Sequence, residues 1–212
     1  MLERFRAFWT KVLTPVARLL LRMGVSADAV TFVGTIGVVV GALAFFPGGH
    51  LLGGVLFITA FVFSDLIDGH MSRMSGTSSK FGAFLDSTLD RVGDAAIFGG
   101  LALYFAGVGD DRLYLWLSLI CLSMGSVTSY ARSRAESLGY QAKVGIAERA
   151  DRLVSILVMT GLGGIALDLG WDWGIWLPRV TLWALAVAST VTVGQRIWVV
   201  RQQAMAEGNP QP

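Results

Sequence analysis

Charge is scarce in this chain, and cysteine is almost absent. Only 15% of its 212 residues are Asp, Glu, Lys or Arg, against about 25% in a soluble domain. That shortage excludes an ordinary water-soluble globule and points to an integral membrane protein. The single cysteine, Cys121, excludes an intrachain disulfide, and its apolar surroundings mark it as core. Residues 1–22 have no uninterrupted apolar run, because Arg4, Arg6, Lys11, Arg18 and Arg22 punctuate them; no cleavable signal peptide is expected. No internal repeat of 20–50 residues and no soluble domain is visible, and no nucleic-acid partner is expected. What the chain has instead is 54% hydrophobic residues and 26 glycines. Small residues let membrane helices approach closely, and Gly37 with Gly41 forms one such pair.

The fold class expected is all-α integral membrane: six transmembrane helices with an N-terminal amphipathic interfacial helix. In residues 1–22, Leu2, Phe5, Trp9, Val12 and Leu13 recur at helical spacing beside basic residues, which suits a helix lying in the membrane interface. Pro15 breaks or kinks it. A span needs about 20 mainly apolar residues, and six are read near 28–46, 51–73, 82–106, 113–136, 147–168 and 175–200. Residues 23–205 then form one six-helix domain, and 206–212 a flexible tail. The basic residues collect in the N-terminal segment, around Arg73 and Lys80, from Arg132 to Arg152, and at Arg196 and Arg201. Cytoplasmic loops carry the excess of Lys and Arg, so both termini face the cytoplasm of a cell-membrane protein. Trp171, Trp173 and Trp176 read as an aromatic belt at the opposite interface.

The segment SDLIDGHMSRMSGTSSKFGAFLDSTLDR carries four carboxylates between apolar stretches. Each costs roughly 2.5–3.5 kcal/mol at the centre of a membrane helix, so a function must retain them. Asp65 and Asp68, at i and i+3, share a face of the second helix, and Asp86 and Asp90, at i and i+4, share one on the third. At ~1.5 Å rise per residue, all four fall at one level just inside the cytosolic surface. Gly69 and Gly82 leave room there for a ligand or a neighbouring backbone. Four carboxylates are neutralised by two divalent cations, and oxygen-only ligands favour hard ions: Mg²⁺ first, with Mn²⁺ or Ca²⁺ also suitable. His70 would face away from Asp65 and Asp68, which disfavours a zinc site; Asp94, three residues after Arg91, is read as structural. Two such ions close together polarise phosphate oxygens and stabilise attacking and leaving groups. An ion or proton transporter would instead place its acids near the midplane, on interrupted helices in repeated halves.

The full spacing is Asp-x₂-Asp-Gly-x₂-Ser-Arg-x₈-Gly-x₃-Asp-x₃-Asp. It resembles the signature of the CDP-alcohol phosphotransferase family, with Ser72 in place of that signature's alanine. Beyond it, GVSADAVT, KFGAFLDSTLDR, SYARSRAESLG and ERADRL are similar to the actinobacterial phosphatidylinositol phosphate synthases. The resemblance implies six membrane helices, a homodimer, two divalent ions, CDP-diacylglycerol as donor and inositol 1-phosphate as acceptor, with CMP released. It implies metal ligation by Asp65, Asp68, Asp86 and Asp90, with Asp90 also the general base. It implies contacts to the CDP group from Gly69, Arg73 and Gly82, with Ser72 beside it, and help from Asp28 and Thr31 in holding the nucleotide. The residues also allow a local role for that last region: Ser26 caps the first helix and Asp28 favours its first turn.

Ser129 and Arg132 lie one turn apart on the fourth span, Arg149 and Arg152 at the start of the fifth, and Arg196 near the cytosolic end of the sixth. A basic pocket from these five suits an acceptor that carries its own phosphate, which Arg binds bidentately. The positive-inside rule places arginines at such helix ends as well. Charge does not choose between inositol 1-phosphate and glycerol 3-phosphate; the resemblance points to the first.

Overall fold

The computed structural model describes residues 13–75 and 79–207, and the side chains of Asp65 and Leu66 lie outside the described set. The described residues are all-helical. Residues 13–22 are helical (α1), followed by α2 (Ala27–Phe45), α3 (Leu51–Val62), α4 (Ser64–Ser75), α5 (Lys80–Ala106), α6 (Arg112–Ser137), α7 (Arg149–Asp168), a 3₁₀ turn (Asp172–Ile175) and α8 (Trp176–Glu207). The chain divides into two compact units. One is drawn from Met1–Phe45 and Gly53–Ile97, the other from Phe46–Leu52 and Phe98–Pro212.

In the first unit, α1 ends on Gly24, whose φ of +79° closes the helix with bonds from Gly24 N–H to Leu21 O and from Val25 N–H to Leu20 O. That is a left-handed glycine cap. Ser26 Oγ then accepts the Ala29 N–H at 3.2 Å and starts α2, as its sequence position indicates. Pro15 stands within helical backbone and does not end α1. Leu2, Phe5, Trp9 and Val12, on which the interfacial reading rests, lie outside the described residues. The glycine stripe of α2 permits close packing. A Cβ on Gly37 would collide with the Phe61 ring, and one on Gly41 would come within 2.8 Å of Ile58 Cγ1 and Phe57 Cδ1.

The expected continuous helix over 51–73 is interrupted at Phe63, giving α3 and α4. Ser64 Oγ donates back to the Phe61 carbonyl. That carbonyl is the acceptor a regular helix would offer to the N–H of residue 65, and local hydroxyl bonding of this kind disturbs the ladder. The break lies immediately before the acidic segment. Ser79 Oγ accepts the Gly82 N–H at 2.8 Å and starts α5.

In the second unit, Asp111 caps α6 through Leu113 N–H and pairs with Arg179 at 2.8 Å. The Arg179 guanidinium also lies over the Tyr114 and Trp176 rings. Trp171, Trp173 and Trp176 are all exposed, as an interfacial belt requires. α8 runs to Glu207, so residues 206 and 207 belong to a helix and not to a flexible tail; 208–212 lie outside the described residues. Tyr140 donates to the Glu207 carboxylate at 2.9 Å, and Gln203 exchanges two hydrogen bonds with the Gln141 backbone. The bond to Glu207 raises the Tyr140 phenol above its ordinary range.

Among the described residues, five stretches are long and apolar enough to cross a membrane: Ala27–Phe45, Leu51–Ser75, Arg112–Ser137, Arg149–Asp168 and Asp172–Glu207. α5, the remaining expected span, has the length at 27 residues. Asp86, Asp90, Arg91 and Asp94 make its first half too polar to qualify on composition. Large apolar side chains such as Leu56, Trp116, Val158, Trp183 and Val187 are turned outward, which suits helices whose solvent is lipid.

Candidate active site

A cavity of about 520 Å³ opens in the first unit. α2 contributes Asp28 and Thr31, α4 contributes Asp68, Gly69 and Ser72, and α5 contributes Gly82 and Asp86; Leu21 of α1 and Ser79 close parts of the wall. Sequence alone proposes the first seven. Leu21 carries no sequence signal for such a role, whereas Ser79, three residues before Gly82, is recognisable as a helix cap.

Asp68 is 7% exposed and Thr31 is 8% exposed. The Thr31 hydroxyl reaches both the Asp68 carboxylate and the Ala27 carbonyl. It has one proton to give, and the carboxylate is the stronger acceptor. This bond ties α2 to α4 and fixes the Asp68 carboxylate in the wall. On the α5 side, a Cβ on Gly82 would stand 3.3 Å from both Asp28 Oδ1 and Ser79 Oγ. Glycine there leaves the Asp28 carboxylate its place in the cavity.

Arg73 is exposed at the end of α4 and folds back one turn. Its guanidinium nitrogens would be 3.7 and 4.0 Å from a Cβ on Gly69. Asp90, one turn beyond Asp86, is not in the cavity lining; its carboxylate is 3.5 Å from Arg91 Nη2 and 20% exposed. His70 bonds Thr14 at 2.9 Å rather than an acid. Asp94 is buried.

Three carboxylates, Asp28, Asp68 and Asp86, line this cavity, and no Lys, Arg or His lines it among the described residues. A concave wall carrying three carboxylates suits a cationic occupant, which offsets their mutual repulsion. Its donors are all oxygen, the set that hard divalent cations take. The described residues contain no group of three His, Cys, Asp or Glu side chains close enough to hold an ion by themselves; Asp65 is outside that set.

The residues expected to meet an acceptor all lie in the second unit. Arg152 is 1% exposed and donates to the Ala147 and Gly125 carbonyls. Arg196 is 4% exposed and donates to the Val144 and Thr128 carbonyls. Ser129 bonds the Gly125 carbonyl, and Arg132 pairs with Glu136 at 3.0 Å. Arg149 is half-buried at the start of α7. The two buried arginines thus hold backbone carbonyls, which the sequence does not reveal.

The profile of the family described as CDP-alcohol phosphatidyltransferase matches residues 24–194. The chain belongs to this family. It is therefore a transferase of phospholipid biosynthesis and a multi-pass membrane protein. A phosphatidylinositol phosphate synthase of Streptomyces avermitilis is 50% identical over 205 residues, 96% of this chain and 84% of that one. One of Cutibacterium acnes is 49% identical over 203 residues, covering 95% and 98%. A crystal structure of the Mycobacterium tuberculosis phosphatidylinositol phosphate synthase with CDP-DAG bound superposes with a TM-score of 0.82 at 39% identity, covering 90% of this chain and 94% of that one. A second structure of that protein, in complex with manganese and citrate, also gives 0.82 at 39% identity, with coverage of 89% and 88%.

Proposed function

We propose that this chain transfers the phosphatidyl group of CDP-diacylglycerol to inositol 1-phosphate. The observation that carries the reading is the acid-lined cavity, which brings together seven residues that the family resemblance implies for the site, together with relatives of that activity at about half identity. The acceptor hydroxyl forms a bond to the β-phosphorus, and the bond from that phosphorus to the CMP oxygen breaks. The hydroxyl proton passes to the Asp90 carboxylate, and CMP leaves with the electron pair. Asp65, Asp68, Asp86 and Asp90 would hold two divalent cations, Mg²⁺ or Mn²⁺. When bound, these supply charge stabilisation to the phosphate oxygens. Thr31 keeps the Asp68 carboxylate oriented, and Asp28, Gly69, Ser72 and Gly82 shape the wall for the nucleotide. Arg73 is placed at the α4 end to meet a diphosphate. Ser129, Arg132, Arg149, Arg152 and Arg196 form the acceptor-phosphate set.

In this reading α5 is the third of six spans, with Asp86 turned to the cavity, as intramembrane acids face a water-filled space. Both termini and the active site face the cytoplasm, in the plasma membrane, and the protein works as a homodimer. The test is acceptor choice. Purified protein with CDP-diacylglycerol and Mg²⁺ should release CMP with inositol 1-phosphate and not with free inositol, serine or glycerol 3-phosphate. Release with glycerol 3-phosphate instead would make this a phosphatidylglycerophosphate synthase.

A further inference from the structure

The stretch between α6 and α7 is irregular backbone, and α8 grips it. Thr192 is fully buried. Its Oγ1 accepts two successive N–H groups, Ile146 at 3.2 Å and Ala147 at 3.3 Å, while donating to the Ala188 carbonyl at 2.8 Å. One hydroxyl therefore uses its proton and both lone pairs. Gly145 precedes these donors with φ of +146°, and a Cβ on it would collide with Thr192 Cγ2. One turn along α8, Arg196 Nε donates to the Val144 carbonyl at 2.9 Å. From α7, Arg152 Nη1 donates to the Ala147 carbonyl at 3.2 Å. Four polar backbone groups in Val144–Ala147 are thus held by three side chains.

The next residue, Glu148, is the N-cap of α7. Its N–H is taken by Asp151 at 3.2 Å, so α7 begins rigidly where the gripped stretch ends. Arg149 and Arg152 occupy the first turn of α7. We infer that Thr192 is a positioning residue: by fixing the Ile146 and Ala147 amides it sets where α7 starts, and hence where Arg149 presents its guanidinium to the acceptor phosphate. This rests on the acceptor reading given above. Thr192 itself touches no substrate. Its buried methyl face accounts for glycine at 145, and its hydroxyl for the two amides; neither feature is required by α8 as a helix.

The test compares Thr192→Val, which keeps the shape and loses the hydroxyl, with Thr192→Ser, which keeps the hydroxyl. A misplaced binding group costs substantial affinity even when the change is remote from the chemistry, so the KM for inositol 1-phosphate should rise about ten-fold in Thr192→Val. Its kcat and its KM for CDP-diacylglycerol should stay near wild type, and Thr192→Ser should restore the acceptor KM. A merely structural threonine would lower the melting temperature of Thr192→Val and leave its acceptor KM alone, which overturns the inference. Arg149→Ala, measured in parallel, separates the two layers. If it raises the acceptor KM and Thr192→Val does not, the positioning role fails alone. If neither moves it, the acceptor reading fails with it. Should Thr192→Val not accumulate, amide exchange of wild-type protein reads the same contact. Protection of Ile146 and Ala147 is expected, and fast exchange there overturns the inference.

Discussion

Asp68→Asn lowers turnover on the order of 10³-fold, the scale of removing one electrostatic stabiliser from a transition state, and leaves the helices folded. Both parts of the expectation come from the same cavity. Asp68 is buried, accepts the Thr31 hydroxyl, and shares its wall with Asp28 and Asp86. Asparagine keeps an oxygen for Thr31, so the tie between α2 and α4 survives. It removes one of three like charges, whose mutual repulsion in a partly buried site is unfavourable. In metal-free buffer the variant should therefore melt close to the wild-type temperature. With Mg²⁺ at about 100 times its dissociation constant the wild type gains about 2.7 kcal/mol, and the variant gains less. Loss of activity thus comes without loss of stability, and thermal melts with and without Mg²⁺ beside CMP-release assays separate the two. A variant that keeps wild-type turnover, or one destabilised in metal-free buffer, would contradict the role assigned to Asp68.

Asp90→Asn is expected to lower kcat by about 10²–10⁴-fold, the usual contribution of a positioned general base. Asp90 sits one turn beyond Asp86 on α5, outside the cavity lining and partly exposed, with Arg91 Nη2 at 3.5 Å. A base for an incoming hydroxyl needs that kind of place, beside the donor site and reachable from outside it. The KM for CDP-diacylglycerol should hardly change, the pattern of an interaction made only in the transition state. Because Asp90 is also proposed to touch a cation, the assay is repeated at raised Mg²⁺. Recovery there would assign Asp90 to ion binding alone, and substantial activity at ordinary Mg²⁺ would remove it from the mechanism.

The meeting of Asp68 and Asp86 in one cavity was legible in the sequence because its logic is local. Spacings of three and four put carboxylates on one helix face, and the cost of charge in a membrane helix says they are retained for use. The Ser26 cap and the close approach at Gly37 and Gly41 were legible for the same reason. The interruption at Phe63 was not, since an apolar run reads as one span whether or not Ser64 bonds back to Phe61. Nor was the partnership of Thr31 with Asp68, which joins residues 37 apart. The arginines mark the limit most clearly. Charge and position in the sequence propose a phosphate-binding role for Arg152 and Arg196, but only the fold shows that each is buried and holds backbone carbonyls in place. Thr192 carries no sequence signal at all; its use depends on a loop folded back from nearly 50 residues away.

In the proposed mechanism the acid-lined cavity works through bound divalent cations. The most direct measurement is CMP release from CDP-diacylglycerol and inositol 1-phosphate by protein stripped with a chelator, before and after Mg²⁺ or Mn²⁺ is returned. No release without the ion and full recovery with it is the expected result. Turnover that persists in the stripped protein would contradict it.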